Sequence, residues 1–160
     1  MKKTTLLFVS LMAFFVTTLT SCDILDKEKQ LVGTWSASYD NDDCVSTNTY
    51  TFKSDNTFVE EIVDVYEEGS LKSVSEGTWR VKNDIIEFEY NLDKCKGYVD
   101  DEENEDYTKD LIKTNRAENA RTTEYRNKGS VYGFTIVSVD EKKLKIKTGD
   151  INNELELTKK

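Results

Sequence analysis

The sequence contains no histidine and no proline, and only three of its 160 residues are cysteines. Histidine is the commonest general base and a frequent metal ligand, so its absence leaves the usual catalytic and zinc-binding arrangements without their central residue. The chain also shows no nucleophile elbow, no zinc-ligand spacing and no phosphate-binding loop. We therefore expect a protein that is not an enzyme and holds no cofactor.

Basic residues are scarce as well. Residues 22–160 carry 20 lysines and arginines against 31 aspartates and glutamates, a net charge of −11. Such a surface repels nucleic acid and anionic lipid headgroups, but it can attract a basic protein. The acidic runs Asp40–Asp43 and Asp100–Asp106 lack the spacing and the central glycine of an EF-hand, so we expect no metal site.

The longest apolar stretch lies at the N-terminus. Lys2 and Lys3 precede an almost wholly apolar run, Leu6–Val16, and small and polar residues follow up to Ser21. This three-part pattern predicts a secretory signal peptide over residues 1–21. The apolar run is shorter than the twenty or so residues that a membrane-spanning helix needs.

The end of this segment, Leu19–Cys22, resembles the lipobox of bacterial lipoproteins. The resemblance implies cleavage before Cys22, a diacylglyceryl group on its thiol and acylation of its new amine, with residues 22–30 as a lipidated tether. Several acyl chains on one residue hold a membrane durably. The alternative is an ordinary secretory signal with a cysteine nearby by chance.

Asp23 follows the predicted lipid site. In enteric bacteria an aspartate there resembles an inner-membrane retention signal, whereas in other Gram-negative phyla acidic residues near the anchor resemble a surface-export signal. We expect a lipid-anchored protein of the Gram-negative cell envelope, at the outer membrane, with the periplasmic and surface faces both open.

Apolar and polar residues then alternate with period two, as in half-buried strands. The pattern predicts eight strands, at Leu31–Tyr39, Thr49–Lys53, Thr57–Tyr66, Gly77–Lys82, Ile85–Leu92, Val131–Val139, Lys143–Thr148 and Glu154–Thr158. An even-numbered meander lets its first and last strands pair antiparallel. We therefore predict an all-β, eight-stranded, antiparallel up-and-down barrel over residues 31–160. The inward face of the third strand stays open, between Phe58, Ile62 and Tyr66 and the alternative Val59, Val63 and Val65.

A charged insert, residues 93–129, interrupts this pattern between the fifth and sixth strands, and Lys109–Lys128 within it has some helical character. Strand directions place the insert at the end of the barrel away from the tether, where loops on a rigid scaffold often bind. A solvated, partly disordered excursion is the alternative. The same directions place Cys44 and Cys95 at that far end, and we expect a disulfide between them.

Several motifs together resemble the lipocalin-like bacterial lipoproteins: Leu31–Trp35, Tyr50–Phe52, Asp55–Phe58, Gly77–Trp79, Phe134–Ile136, Leu144–Ile146 and Leu155–Leu157. The resemblance implies a lipocalin-like barrel that holds a small apolar molecule. It also implies that Gly33 and Trp35 close the base of the barrel, which we interpret as a structural role.

Two functions follow as expectations. In the first, five inward aromatic residues line an apolar ligand cavity: Trp79, Phe88, Tyr90, Tyr132 and Phe134. The same rings could instead simply fill the core. In the second, the protein is an inhibitor or accessory lipoprotein whose acidic distal loops bind a basic partner.

Overall fold

The computed structural model describes residues 27–41, 43–148 and 154–160 of the chain. The predicted signal peptide and the predicted lipid site at Cys22 lie outside the described residues. Within the described ranges there are ten strands: β1 (Gly33–Asn41), β2 (Cys44–Phe52), β3 (Thr57–Tyr66), β4 (Gly69–Lys82), β5 (Ile85–Tyr90), β6 (Lys96–Val99), β7 (Glu102–Glu103), β8 (Phe134–Val139), β9 (Lys143–Thr148) and β10 (Glu154–Lys159). A 3₁₀ turn spans Leu92–Lys94, and a long helix, α1, spans Glu105–Asn127.

Eight of the strands close into an antiparallel barrel, as the sequence predicts. Around the barrel the order is β1, β2, β3, β4, β5, β8, β9 and β10, and β10 pairs again with β1. The pairing of β3 with β4 completes the ring. The short hairpin β6–β7 is an addition, which extends the sheet outward from β4. We call the end where β1 begins the base, and the opposite end, with the β3–β4 hairpin, the rim.

In the third strand, the inward face is the first of the two alternatives that the sequence left open. Tyr50 lies opposite Glu60 and Phe52 opposite Phe58, and all four side chains are buried. Residues directly opposite each other share a face of the sheet. The inner face of β3 therefore carries Phe58, Glu60 and Ile62, together with Asp64 and Tyr66 near the rim.

Strand β4 begins at Gly69, directly after the β3–β4 turn, and so extends well before the predicted inward set Gly77, Trp79 and Val81. Its first half pairs with β3 on one side and with β6 on the other. Ser73 and Ser75 are buried on this half and face the interior. Because these inner residues are polar, the apolar alternation on which the sequence prediction depends is visible only in the Gly77–Lys82 half of β4.

The apolar core fills the base half of the barrel. Trp35 is fully buried, and its indole Nε1 donates to the carbonyl oxygen of Leu31 at 2.6 Å. Lys159 Nζ lies 4.9 Å from the centroid of the Trp35 ring, a cation–π distance. Gly33 has φ +138°, and a Cβ there would lie 2.6 Å from Lys159 Cε, so the close approach of Lys159 depends on glycine.

Helix α1 begins and ends with typical caps. The Asn104 side chain accepts a hydrogen bond from the amide of Tyr107, and Gly129, just beyond the C-cap, has φ +75°. The helix starts four residues before the predicted helical stretch Lys109–Lys128 and ends at Asn127, with Lys128 as its C-cap. Its buried residues are the polar Asn115 and Thr122. In the described part of the chain, no helix combines the length and the apolar character that a membrane crossing requires.

Candidate functional site

Helix α1 lies along an edge of β5 that no strand covers. Strand β8 pairs with β5 only through Ile85 and Ile86. Further along β5, the Asn119 side chain accepts from the amide of Tyr90 and donates to its carbonyl oxygen, both at 2.8 Å. Thr122 Oγ1 also lies 3.4 Å from the carbonyl oxygen of Phe88. Polar side chains of α1 thus satisfy backbone groups that a neighbouring strand would otherwise pair.

An ionic cluster fixes the C-terminal end of α1 to the outer face of β5. Glu87 is 1% exposed, although its side chain points outward, because two arginines cover it. Arg80 Nη2 lies 2.7 Å from one carboxylate oxygen, and Arg126 Nε donates to the other. Arg126 Nη1 also reaches Glu89 at 2.9 Å. The paired charges and the hydrogen bonds offset the cost of burying Glu87.

Beneath α1, a small cavity of about 50 Å³ lies between β5 and the residues that lead into β8. We call it the seam pocket, and it is lined by Phe88, Tyr90, Glu118, Thr122, Tyr132, Gly133 and Phe134. Four of the five predicted cavity residues therefore meet here. The fifth, Trp79, belongs to the core, where its ring lies 5.0 Å from that of Phe52 and its Nε1 donates to the carbonyl oxygen of Lys53.

The seam pocket is far smaller than ordinary ligand sites, which measure roughly 300–1,000 Å³. Phe134 and Phe88 pack edge to face, with ring centroids 5.0 Å apart, and so fill much of the space between β5 and β8. A Cβ on Gly133 would lie 2.0 Å from the carbonyl oxygen of Ile86, so the two backbones are in close contact. The space that remains corresponds to one or two water-sized groups, at about 30 Å³ each.

A buried carboxyl group lies behind Tyr90. Glu60 is almost fully buried on the inner face of β3, and the side chains of Tyr50 and Tyr90 hydrogen-bond to it. Burial raises the pKa of Glu60, although the two tyrosine hydrogen bonds act in the opposite direction. Burial and the neighbouring Glu60 charge also hold the pKa values of Tyr50 and Tyr90 well above their usual range.

The larger concavity is at the rim. This rim pocket has a volume of about 680 Å³ and is lined by Asp43, Tyr66, Glu67, Glu68, Gly69, Ser70, Leu71, Val99 and Asp100. Its four carboxylates come from three separate turns, those of β1–β2, β3–β4 and β6–β7. It thereby brings together one residue from each of the two acidic runs, Asp43 and Asp100. None of the residues that line it is basic.

Asp100 determines the shape of the rim pocket. Its Oδ1 accepts from the amide of Ser70 at 2.7 Å, and its own amide donates to the carbonyl oxygen of Ser70 at 3.0 Å. A Cβ at Gly69, which has φ +158°, would lie 2.7 Å from Asp100 Oδ1. Asp100 and Asp101 both have positive φ, 50° and 67°, as the tight hairpin turn between β6 and β7 requires. Glycine at position 69 thus lets the two hairpins meet at the rim.

Exposed apolar side chains lie on β1, β2 and β3 at the rim end of the barrel, and Tyr66 among them lines the rim pocket. Val45 and Val65 lie opposite each other on the outer face and are 45% and 50% exposed, and Tyr39 and Tyr66 are each 40% exposed near the barrel mouth. Exposed apolar side chains next to charged groups are common at interaction sites. In the described part of the chain, no three acidic or cysteine side chains converge closely enough to hold a metal ion.

The predicted disulfide is not formed, and Cys44 and Cys95 are both free thiols. Cys44 lies at the rim beside Tyr66, which pairs with Gly69 at the start of β4. Cys95 Sγ lies 3.3 Å from Asn115, which donates to Ser75 Oγ on β4. Gly69 and Ser75 are about 20 Å apart along the strand. The prediction was wrong because β5 ends opposite Gly77, midway along β4, so the chain after β5 is not at the rim.

No protein-family model matches the chain, and no curated protein matches it at a significant level. The geometry of the chain therefore carries the functional argument. Sequence patterns missed Glu60, Asn119 and the rim pocket. For the rim pocket, the sequence offered one signal, the two acidic runs at strand ends. These runs indicated the far end of the barrel, but they did not show that Glu67 and Glu68 lie beside Asp43 and Asp100 there.

Proposed function

We propose that this chain is a non-catalytic lipoprotein of the bacterial cell envelope whose rim binds a basic protein partner. The observation that carries the proposal is the rim pocket, with four carboxylates and Tyr66 in a concavity of about 680 Å³. Carboxylates beside an aromatic ring suit arginine and lysine side chains, through ion pairs and cation–π contacts. Val45 and Val65 supply adjoining apolar surface.

The predicted apolar-ligand function has less support from the same geometry. The cavity among four of its five predicted lining residues measures about 50 Å³, which is too little for a typical apolar ligand. The rim pocket is larger, carries four acidic residues and no basic one among its nine lining residues, and lies open at the surface, as binding of a macromolecular partner requires.

The position of the tether supports an outward-facing rim. Residues 27–31 form a short helical turn at the base, where Lys27 Nζ lies 2.5 Å from Asp84 Oδ1 in the β4–β5 turn. Glu28 Oε1 accepts from the amide of Val81 nearby. If Cys22 carries lipid, the five residue steps from Cys22 to Lys27 span at most about 17 Å. The base then lies against the membrane, which in this proposal is the outer membrane, and the rim points away from it.

The anchor is tested by replacing Cys22 with serine in the full chain expressed in a Gram-negative host. The wild-type chain should incorporate labelled palmitate and sediment with membranes, whereas Cys22→Ser should do neither. Incorporation of label into Cys22→Ser would contradict the lipid anchor at this position.

The partner chemistry is tested with a labelled hexa-arginine peptide and the full chain. We expect Glu67→Gln with Glu68→Gln to weaken binding about five-fold or more, because two of the four pocket carboxylates lose their charge. The control is Asp110→Asn with Glu141→Gln, an equal change of charge at exposed positions away from the rim. Binding by the wild-type chain should also weaken as salt increases. Equal losses in the two double variants would mean that net charge alone attracts the peptide, and would overturn the rim assignment.

A further inference from the structure

The seam pocket is small, but both aromatic residues and an acidic residue line it. Four aromatic side chains, those of Phe88, Tyr90, Tyr132 and Phe134, surround it together with the carboxylate of Glu118. None of the seven lining residues is basic. Aromatic rings attract cations through their faces, and an acidic residue beside them adds negative charge. A lining of aromatic residues and one acidic residue, with no basic residue, is of the kind that binds small cations.

Contacts made by Arg121 at the edge of the pocket support the binding of a cation there. Arg121 Nη1 lies 3.1 Å from Glu118 Oε1 and 3.3 Å from the Tyr132 hydroxyl. Glu118 and Tyr132 thus already hold a cationic group, although Arg121 itself does not line the pocket. Behind the pocket, Glu60 hydrogen-bonds to Tyr90 and adds a second acidic group on that side.

The size of the pocket limits what can enter. A volume of about 50 Å³ accommodates an ammonium group and its first methylene, but not a folded chain or a ring system. Glu118 is 32% exposed, so the pocket reaches solvent on the side where Arg121 lies. A longer alkyl chain would leave the pocket on that side.

We propose that the seam pocket binds the ammonium group of a small primary alkylamine. The ammonium pairs with Glu118, rests against the rings of Phe88, Tyr90, Tyr132 and Phe134, and competes with Arg121 for the Glu118 carboxylate. This site goes beyond the proposed partner-binding function, because the seam and rim pockets share no residue.

The test uses n-butylammonium as the probe and n-butanol as its neutral analogue, each titrated into the full chain. Backbone amide shifts are followed by NMR, with Gly133 and Phe88 as reporters of the pocket. We expect a saturable shift with n-butylammonium and none with n-butanol. Equal, saturable binding of both compounds would show that the pocket selects apolar groups and not cations. The absence of a saturable shift with n-butylammonium would equally overturn the proposal.

Variants on α1 then identify the carboxylate. Glu118→Gln keeps the shape of the side chain and should weaken n-butylammonium binding about five-fold or more, because the ion pair with the ligand is lost. Arg121→Ala removes the competing guanidinium and should tighten binding about two-fold or more. The control is Glu124→Gln, which removes a carboxylate paired with Lys128 on the same helix and should leave binding unchanged.

The outcomes separate this proposal from the function proposed above. Wild-type affinity in Glu118→Gln would overturn the ammonium site, whatever the rim variants do. If Glu118→Gln does not fold, Arg121→Ala decides, and unchanged or weaker binding by that variant contradicts the proposal. Binding of hexa-arginine peptide by Glu118→Gln should remain at the wild-type level, since Glu118 lies outside the rim pocket.

Discussion

The carboxamide of Asn119 and the backbone of Tyr90 form a reciprocal pair, in which the side chain both accepts from the amide and donates to the carbonyl, each at 2.8 Å. One helical side chain thereby reproduces the two hydrogen bonds that a neighbouring strand makes to a paired residue. The pair lies where β8 no longer covers β5, so it closes the edge of the barrel that the strands leave open. An open edge invites pairing with other chains, and α1 prevents this.

Replacing Asn119 with alanine should therefore destabilise the protein substantially. The change leaves an amide and a carbonyl of Tyr90 without partners in a partly buried position, at a cost of about 2–4 kcal/mol in the free energy of unfolding. Urea denaturation gives the magnitude, and hydrogen exchange at the Tyr90 amide gives the location. Asn127→Ala, at the exposed end of the same helix, should change the unfolding free energy by less than about 0.5 kcal/mol. Unchanged exchange at Tyr90 in Asn119→Ala would show that the pair does not protect the edge.

A second prediction concerns Glu60 and pH. Burial raises the folded-state pKa of Glu60, so the folded protein binds this proton more tightly than the unfolded chain does. The resulting stabilisation is complete below about pH 4.3, the ordinary pKa of glutamate, and is lost as the pH rises through the folded-state value. Glu60→Gln places a neutral amide at this position, so this variant does not lose that stabilisation as the pH rises. Its unfolding free energy should therefore improve relative to wild type as the pH rises from 4 to 7.

The control for this experiment is Glu61→Gln. Glu61 is the next residue on β3, points outward and pairs with Lys72 on the surface. The difference in unfolding free energy between Glu61→Gln and wild type should not grow in this way as the pH rises from 4 to 7. Urea denaturation of all three proteins across this pH range makes the comparison. A difference between Glu60→Gln and wild type that is constant with pH would mean that Glu60 has the same pKa in the folded and unfolded states.

The third prediction concerns the two thiols. Because Cys44 and Cys95 are separated by roughly 20 Å of strand, they should stay reduced in protein purified without reductant. In the Cys22→Ser chain, a thiol reagent should label Cys44 readily in the folded state, since it is partly exposed. It should label the buried Cys95 only after denaturation. Denatured, unreduced protein that contains no reactive thiol would demonstrate a bridge.

The barrel could be predicted from the sequence because its base half obeys simple alternation. Trp79 and Val81 point inward on β4, and Arg80 and Lys82 point outward, so the period of two is clear. Strand count and antiparallel order followed from that pattern. The rim half does not obey it, since Ser73, Ser75 and Glu60 occupy inner positions and look like outward residues in the sequence.

The candidate sites were harder to predict, for a related reason. The seam pocket depends on Glu118 and Thr122, which a polar helix brings over β5 through hydrogen bonds and ion pairs instead of an apolar stripe. A helix without such a stripe gives no periodic signal for the face that it buries. The rim pocket joins three turns that are distant in sequence, and only the positive φ values of Asp100 and Asp101 and the glycine at position 69 let the hairpins meet.

The pairing of β10 with β1 also dictates the order in which the molecule can assemble. The backbone amide of Lys160 donates to the carbonyl oxygen of Thr34 at 2.9 Å, and Lys159 covers Trp35, so β10 completes the contacts of β1. Closure of the barrel therefore needs pairing between two strands that are far apart in the sequence. Until β10 pairs, β1 is bonded only to β2 and presents an open edge, and we expect slow folding with exposure to aggregation during that time.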